Sequence, residues 1–421
     1  MSFSTLGLSD ALVSAASQYA APTPVQTAAI PVVLAGGDVL ATAQTGSGKT
    51  TAFVLPLLQR WLAAPRESSH GVHTLILVPT RELAAQVREV VGEFARSLPK
   101  RVKIVSAVGG VSINPQMMAL RGGADFVVAT PGRLLDLVER NAAQLSDVTA
   151  LVLDEADRML DLGFADELNR ILSLLPERRQ NLLFSATFPT AVESLALDLL
   201  HEPERIKIES EKSEMPAIEQ RAIRVDTDKR TPLLRHLIKT ENWARALVFV
   251  GKQYTADHVA DKLRCNGITA ESFHGDLSQG ARSRVLSAFK NSEIRVLVAT
   301  DLAARGLDIV ELPVVLNYEL PRSAVDYIHR IGRTGRAGEN GVAISFVTAE
   351  NHSHFCLIEK RHQLNIAREE IAGFEPSEAI CKPASGVGGI KGRRKSKKDK
   401  LRETAASGSP GAGAPVASKS S

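Results

Sequence analysis

The residues best suited to chemistry fall in three short strings. The first, Ala43-Gln44-Thr45-Gly46-Ser47-Gly48-Lys49-Thr50, follows an apolar β-branched run and precedes an apolar helical pattern carrying Phe53, Leu57 and Trp61. In that setting the N–H groups of the loop and of the helix start face phosphate oxygens, Lys49 adds a point charge, and Thr50 offers an oxygen to Mg2+. Ala43 stands where the general pattern has its first glycine, but strand, Lys-Thr pair and helix follow in the right order. The second string, Asp154-Glu155-Ala156-Asp157, closes the apolar run Leu151-Val152-Leu153. At the carboxyl end of a strand in an open parallel sheet, Asp154 is placed to hold Mg2+ through water and Glu155 to orient or deprotonate an attacking water. Hydrolytic phosphoryl transfer needs little beyond positioning and charge neutralisation. The third string, His329-Arg-Ile-Gly-Arg-Thr-Gly-Arg336, puts three arginines into eight residues. Its glycines keep the backbone tight while Arg333 and Arg336 point at one anion, as an arginine-finger pair completing a γ-phosphate site. Such fingers are worth about 10³–10⁵ in rate.

These strings need rigid elements to hold them. Short β-branched runs at Asp38–Thr42, Thr74–Val78, Lys103–Ala107, Phe126–Ala129, Ala150–Asp154 and Leu182–Ser185 predict strands. Between them Glu82–Arg96 places Leu83, Val87, Val90, Val91 and Phe94 on one helical face. Continuous apolar strands separated by amphipathic helices indicate a parallel sheet covered on both sides. The stretch 209–219 is polar, contains Pro216 and reads as a linker. The pattern then restarts, with strands predicted at Ala246–Val250, Ile268–Ser272, Arg295–Ala299, Val314–Asn317 and Val342–Val347 and helices at Ala256–Arg264 and Ser278–Phe289. The expected organisation is α/β: one parallel-sheet domain over 1–208, the linker, a second over 220–375, and a disordered basic tail over 376–421.

Composition supports this division. The chain has 421 residues, 44% of them hydrophobic, with 51 Lys/Arg against 47 Asp/Glu. That length favours two cores over one. Residues 376–421 hold ten Lys/Arg and three Asp/Glu, leaving 41 basic and 44 acidic groups in 1–375. A slightly acidic body therefore carries a basic end, rich in Gly, Ser and Ala, that cannot bury enough apolar surface to offset ordering entropy. No apolar run approaches a membrane span, and Met1–Asp10 lacks the features of a secretory signal. Cys265, Cys356 and Cys381 form neither a disulfide framework nor a zinc spacing. The plain expectation is a soluble, cytoplasmic protein of a reducing compartment.

Taken together, the ordered strings resemble those of DEAD-box RNA helicases of superfamily 2, which implies two tandem RecA-like domains over roughly residues 1–375. Within that family the resemblance is to the short bacterial RhlE-type proteins. The family's adenine-recognising segment matches Tyr19-Ala-Ala-Pro-Thr-Pro-Val-Gln26, with an upstream aromatic at Phe3; this chain has Gln18, Ala20 and Ala21 where relatives often carry Gly or charged residues. The resemblance assigns Gln26 to the adenine edge and Ser185-Ala-Thr187 to coupling hydrolysis with strand separation. It has His329 reach the acidic motif or the Ser-Ala-Thr segment across the cleft. Gly306 and Asp308 would touch nucleotide, with Thr300 and Arg305 on the RNA side or the interface. RNA-backbone contacts map onto Pro79-Thr80-Arg81-Glu82-Leu83, Gly109-Gly110, Thr130-Pro131-Gly132-Arg133 and the stretch from Gln279 to Arg282.

None of these RNA strings contains an aromatic residue, so they suit sugar and phosphate rather than base reading. The activity implied is ATP hydrolysis, with ATP and Mg2+, coupled to local, non-translocating unwinding of RNA. A slowly cycling RNA clamp or a DNA-directed helicase are the competing readings. Ribosome precursors, messengers and RNA-degradation intermediates, with their machineries, stay open as substrates and partners. The block Lys391–Lys400 reads as a sequence-independent RNA tether whose contribution falls steeply with salt. Deleting residues 376–421 should raise the RNA concentration needed to stimulate ATP hydrolysis while sparing the saturated rate. A large fall in that saturated rate would count against the tether.

Overall fold

The structure, a computed structural model, describes residues 2–43, 46–63, 71–208, 218–304, 312–335 and 341–377. The first lobe is built on β1 (Val39–Thr42), β2 (Val72–Leu77), β3 (Ile104–Ala107), β4 (Ala124–Ala129), β5 (Ala150–Asp154), β6 (Gln180–Ser185) and β7 (Glu204–Lys207). All pair in parallel, in the order β3-β4-β2-β5-β6-β1-β7. The second lobe uses β8 (Ile218–Arg224), β9 (Ala246–Val250), β10 (Ala270–Phe273), β11 (Val296–Thr300), β12 (Val314–Asn317), β13 (Gly341–Val347) and β14 (Arg368–Glu369). Its order, β10-β11-β9-β12-β13-β8-β14, repeats that of the first, each strand being seven places further along. Two α/β lobes of one topology follow, as the strand–helix alternation predicts.

Each sheet is buried on both faces. In β5 and β6, Val152, Leu182 and Phe184 enter one apolar layer while Leu151, Leu153 and Leu183 enter the opposite one. This is the two-residue alternation of a strand, here apolar on both sides. Phe184 meets Phe53 of the helix Lys49–Ala63 with ring centroids 5.3 Å apart, anchoring the helix that follows the glycine-rich loop. The helix predicted at Glu82–Arg96 runs Arg81–Ala95, because the Thr80 hydroxyl caps it by accepting from the Leu83 N–H at 3.3 Å. Leu83, Val87, Val91 and Phe94 are buried as predicted, while Val90 is only partly covered.

Sequence reading placed the lobe boundary two residues late. Strand β8 begins at Ile218, so Ile218 and Glu219 belong to the second sheet rather than to the linker. The remainder of that stretch, 209–217, lies outside the described residues. β8 escapes a hydropathy reading because it alternates with charge. Only Ala222 and Ile223 are fully buried, whereas Arg221 pairs with Glu241 and Glu369 at 2.9 and 2.8 Å, and Arg224 with Glu370 at 2.6 Å. β7 and β14 were missed for the same reason, as polar strands on the outer edges. At the other end the lobe runs past residue 375. The Ser377 N–H and hydroxyl both donate to Asp226, at 2.9 and 2.8 Å, so Pro376 and Ser377 do not belong to the tail. Residues 378–421, including the basic block, lie outside the described residues. No helix among the described residues is long and apolar enough to cross a membrane.

Candidate functional site

In a parallel sheet every strand delivers its following loop to the same edge. After β1 comes the glycine-rich loop, after β5 the acidic string, and after β6 the Ser-Ala-Thr segment. These three strands are neighbours, β5-β6-β1. Thr80 follows β2, Gly110 follows β3 and Thr130 follows β4, and these too are neighbours, β3-β4-β2. Strand order thus sorts the strings into a half suited to nucleotide and a half suited to polymer. The second lobe repeats the division. Lys252 and Gln279 follow β9 and β10 and Thr300 ends β11 on one half, and the helix Ala324–Ile331 carrying His329 follows β12 on the other.

On the nucleotide half, Lys49 opens its helix and is 6% exposed, its ammonium donating to the Ala43 carbonyl at 2.8 Å. Gly48 adopts φ 89°, and a Cβ there would collide with the Gln26 amide, so the position requires glycine. Gln26 is buried, donating to the Gly48 carbonyl at 3.2 Å and accepting from the Thr23 N–H at 2.9 Å. The residue that resemblance assigns to adenine is therefore also wired to the phosphate loop. Tyr19 is half-exposed with its ring 6.4 Å from Phe3, which is itself buried. Gln18 bonds Glu93 at 2.7 Å. Gln44 and Thr45 lie outside the described residues.

Asp154, Glu155 and Asp157 are all buried. Glu155 sits in the left-handed region at φ 54°, ψ 51°, a strain of order 1–3 kcal/mol that lets strand turn into helix within one residue. Its Oε2 accepts from Arg158 at 2.7 Å, which leaves Oε1 for a water. Asp157 clasps the Ser-Ala-Thr segment, accepting from the Thr187 N–H at 2.9 Å and hydroxyl at 2.7 Å, while its own N–H donates to the Ser185 hydroxyl at 3.3 Å. Sequence reading left Asp157 and Arg158 without roles; the spacing of Glu155 and Arg158, one helical turn apart, was the available signal. Burial pushes the Asp154 carboxyl up to about 7, against the pull of Lys49 and with Glu155 and Asp157 adding to the rise.

Across the lobes, burial holds the His329 imidazole below its ordinary value; Asp157 and Asp326 oppose the shift while Arg158 and Arg333 reinforce it. His329 thus stands in the field of the acidic string. Arg330, in the middle of the arginine-rich string, is structural. It is 2% exposed and grips Asp301 through two bonds of 2.6 Å, with further donation to Asn317 at 2.9 Å. This pins the arginine helix to the segment after β11. Arg333 is part-buried; Arg336, Arg305, Gly306 and Asp308 lie outside the described residues.

On the polymer half, Thr80 and Thr130 are helix N-caps, and Arg81 lies against Gly110, whose φ of 71° and absent Cβ make room for the guanidinium. Pro131 is buried, Gly132 is partly exposed, and Arg133 donates to the Val111 carbonyl at 3.0 Å. Pro79 is buried as well. In the second lobe Thr300 is 8% exposed at the end of β11, and the Gln279 Oε1 is buried without a partner. Arg282 is placed differently from a free phosphate ligand. Its guanidinium pairs with Glu82 of the first lobe at 2.8 Å, both side chains being under a tenth exposed, donates to the His274 carbonyl at 3.3 Å and covers the Phe273 ring. Glu82, which the sequence places within an RNA-backbone string, is therefore half of a buried bond between lobes.

A two-lobed phosphate-loop ATPase whose second lobe supplies basic residues to the first is the class that this fold and site define. Comparison with known proteins narrows it. The DEAD/DEAH box helicase profile matches residues 23–195, and the helicase conserved C-terminal domain profile matches 228–338. The DEAD-box ATP-dependent RNA helicase CshA of Bacillus cereus is 41% identical over 360 residues, covering 85% of this chain and 67% of the relative. CshA of Streptococcus pneumoniae is 41% identical over 379 residues, covering 90% and 70%. Among solved structures, S. cerevisiae Dbp5 bound to RNA and ADP BeF3 superposes with a TM-score of 0.77 at 32% identity, covering 88% of this chain and 95% of that one. The DEAD-box helicase Mss116 bound to ssRNA and UDP-BeF gives 0.78 at 30%, covering 90% and 80%. The chain belongs to the DEAD-box family of ATP-dependent RNA helicases, enzymes whose ATP hydrolysis depends on RNA.

Two measurements probe this geometry. The Asp154 carboxyl keeps its proton up to about 7 in the fold, whereas the free group releases it near 3.8. Stability present below the lower value is therefore lost as pH rises through the upper one. Asp154→Asn should melt higher than the wild type without nucleotide at mildly alkaline pH, with a gap that closes on acidification, while losing ATP hydrolysis. A gap independent of pH would contradict the desolvated carboxyl. Separately, Glu82→Arg and Arg282→Glu should each depress RNA-stimulated hydrolysis and the double exchange should recover part of it. The coupling energy expected is roughly 0.5–3 kcal/mol; strictly additive losses would dissolve the inter-lobe bond.

Proposed function

We propose that this helicase unwinds RNA locally, by closing its lobes once on a strand rather than by travelling along it. The observation that carries the reading is the division of both carboxyl edges into a nucleotide half and a polymer half. With both lobes built this way, each ligand touches both, and ATP and RNA favour the same closed arrangement.

The chemistry follows from the residues. Lys49 exchanges the Ala43 carbonyl for phosphate oxygens, and Gln26 reports adenine to the loop through Gly48. Glu155, held at one oxygen by Arg158, orients the attacking water and takes its proton with the other. Arg333 and Arg336 neutralise charge developing on the γ-phosphoryl group. Mg2+ belongs to this proposal: Thr50 and Asp154 supply one hydroxyl and one buried carboxylate. Among the described residues no group of three or more His, Cys, Asp or Glu side chains is arranged to hold an ion. A donor set this small fits a cation that keeps waters and borrows phosphate oxygens, as Mg2+ does. Held by Thr50 and Asp154, the ion would offset the negative charge of the phosphate groups. The Asp157 clasp on Ser185 and Thr187 carries the change at the acidic string toward the strand-separating segment.

Each base pair removed costs on the order of 1–2 kcal/mol, taking duplex stacking as the scale. One closure can open a short stretch and no more. Sugar and phosphate contacts through Thr80, Arg81, Gly110, Thr130, Arg133, Gln279 and Thr300 would serve RNA of any sequence. The RhlE-type placement, a cytoplasmic location, and ribosome precursors or degradation intermediates as substrates complete the proposal; the first rests on the motif strings and the second on the unpaired cysteines. Steady-state ATP hydrolysis with and without single-stranded RNA, beside displacement of a short duplex and one several times longer, tests it. Stimulated turnover with release of the short duplex alone is expected. Release of the long duplex in step with many ATP molecules would show a translocating motor, and stimulation without any release would show a clamp.

A further inference from the structure

One aromatic lies on the polymer half that the family strings leave out. Tyr254 is the second residue of the helix Gln253–Arg264, which leaves β9 at the carboxyl edge of the second sheet. It is 78% exposed, more than any other aromatic among the described residues. Its ring lies nearly parallel to that of His258, one turn on, with centroids 6.0 Å apart and an interplanar angle of 17°. Backed in this way, the ring presents its outer face to solvent in a set orientation.

The helix is tied to the neighbouring polymer-gripping segment. Asp257 accepts from the Ser272 hydroxyl at 2.6 Å and pairs with His274 Nε2 at 3.0 Å, and the His274 carbonyl receives Arg282. The Gln253 amide would lie 3.3 Å from a Cβ on Gly275, in the turn that leads to Gln279. Beyond His258 the same helix borders a groove of about 290 Å³ lined by Arg235, His258 and Lys262 and by one carboxylate, Asp228. Arg235 is oriented by Asn266 at 2.6 Å, and no ion-pair partner engages Lys262 among the described residues.

We propose that Tyr254 and His258 form a stacking platform for one unpaired base of single-stranded RNA leaving the polymer half, and that Lys262 and Arg235 take the phosphate that follows. The proposal rests on the RNA-helicase reading and adds to it a base contact that the backbone-gripping strings lack. Stacking tolerates any base because every base has a π-face, so the platform would lengthen the footprint without imposing sequence.

The test uses the full chain with a non-hydrolysable ATP analogue and fluorescently labelled single-stranded RNAs of graded length. Tyr254→Ala should weaken binding of the longer RNAs about 5- to 10-fold, the scale of one lost stack, while Tyr254→Trp retains it and the shortest RNAs bind equally to all three proteins. An abasic site walked along the RNA should reproduce the loss at one position in the wild type and add nothing in Tyr254→Ala. Lys262→Ala should lower the salt slope of binding by about one. Matching melting temperatures show that the variants fold, since truncating so exposed a ring leaves no cavity. Equal affinity of Tyr254→Ala and wild type at every length, or an abasic scan without a sensitive position, overturns the platform and leaves the helicase reading intact. A wild type whose ATP hydrolysis ignores RNA would instead sink the helicase reading itself.

Discussion

The polarity of two parallel sheets is the constraint on which the rest depends. When all strands run one way, each loop that leaves a strand opens on a single edge, and helices must return the chain across the faces. Chemistry is then confined to that edge, and the strand order decides which loops become neighbours. Here the order is used twice, strand for strand, so the second lobe presents a matching edge. The apolar layers above and below each sheet hold these edges rigid. Val152, Leu182 and Phe184 on one side, and Leu151, Leu153 and Leu183 on the other, leave the loops little freedom at their roots.

Against this apolar frame, the buried charges stand out because each is costly unless paired. Arg330 is satisfied by Asp301, Asn317 and a carbonyl, and so fastens an element of the site without acting in it. Arg282 and Glu82 satisfy each other across the lobes. Removing either partner would leave the other charge buried and unpaired, so neither can be lost cheaply. Asp154 is different: desolvation outweighs the attraction of Lys49, and the carboxyl is held up to about 7. A group kept uncomfortable in the resting protein is one that a cation would relieve.

Legibility followed burial on both faces. β5, β9 and β12 were bounded to the residue because they are unbroken apolar runs, ended by Asp154 and Asn317 in β5 and β12 and by the Gly251 that follows β9. β7, β8 and β14 were not seen, since edge position and ion pairs let them carry arginine and glutamate. The phosphate loop and acidic string could be read as strings because their chemistry is local: consecutive N–H groups and carboxylates on one turn. The bonds of Asp157 and Glu82 had no such local mark. Their partners, Thr187 and Arg282, lie in other segments, and a lone charge on a helix is indistinguishable in sequence from a solvated one.

By itself the sequence determined the class of protein, its two α/β lobes and the places of the glycine-rich, acidic and arginine-rich strings, because these follow from periodicity and from residues adjacent along the chain. Only the tertiary structure decided the grouping of those strings into nucleotide and polymer halves. Along the chain the glycine-rich loop is far from the acidic string and close to Thr80; in the sheet β1 lies beside β6 and apart from β2. It also decided that Arg282 answers Glu82 and that Arg330 holds the fold. Those outcomes depend on which surfaces the packing of the sheets brings together and removes from water, and no local pattern of residues encodes that.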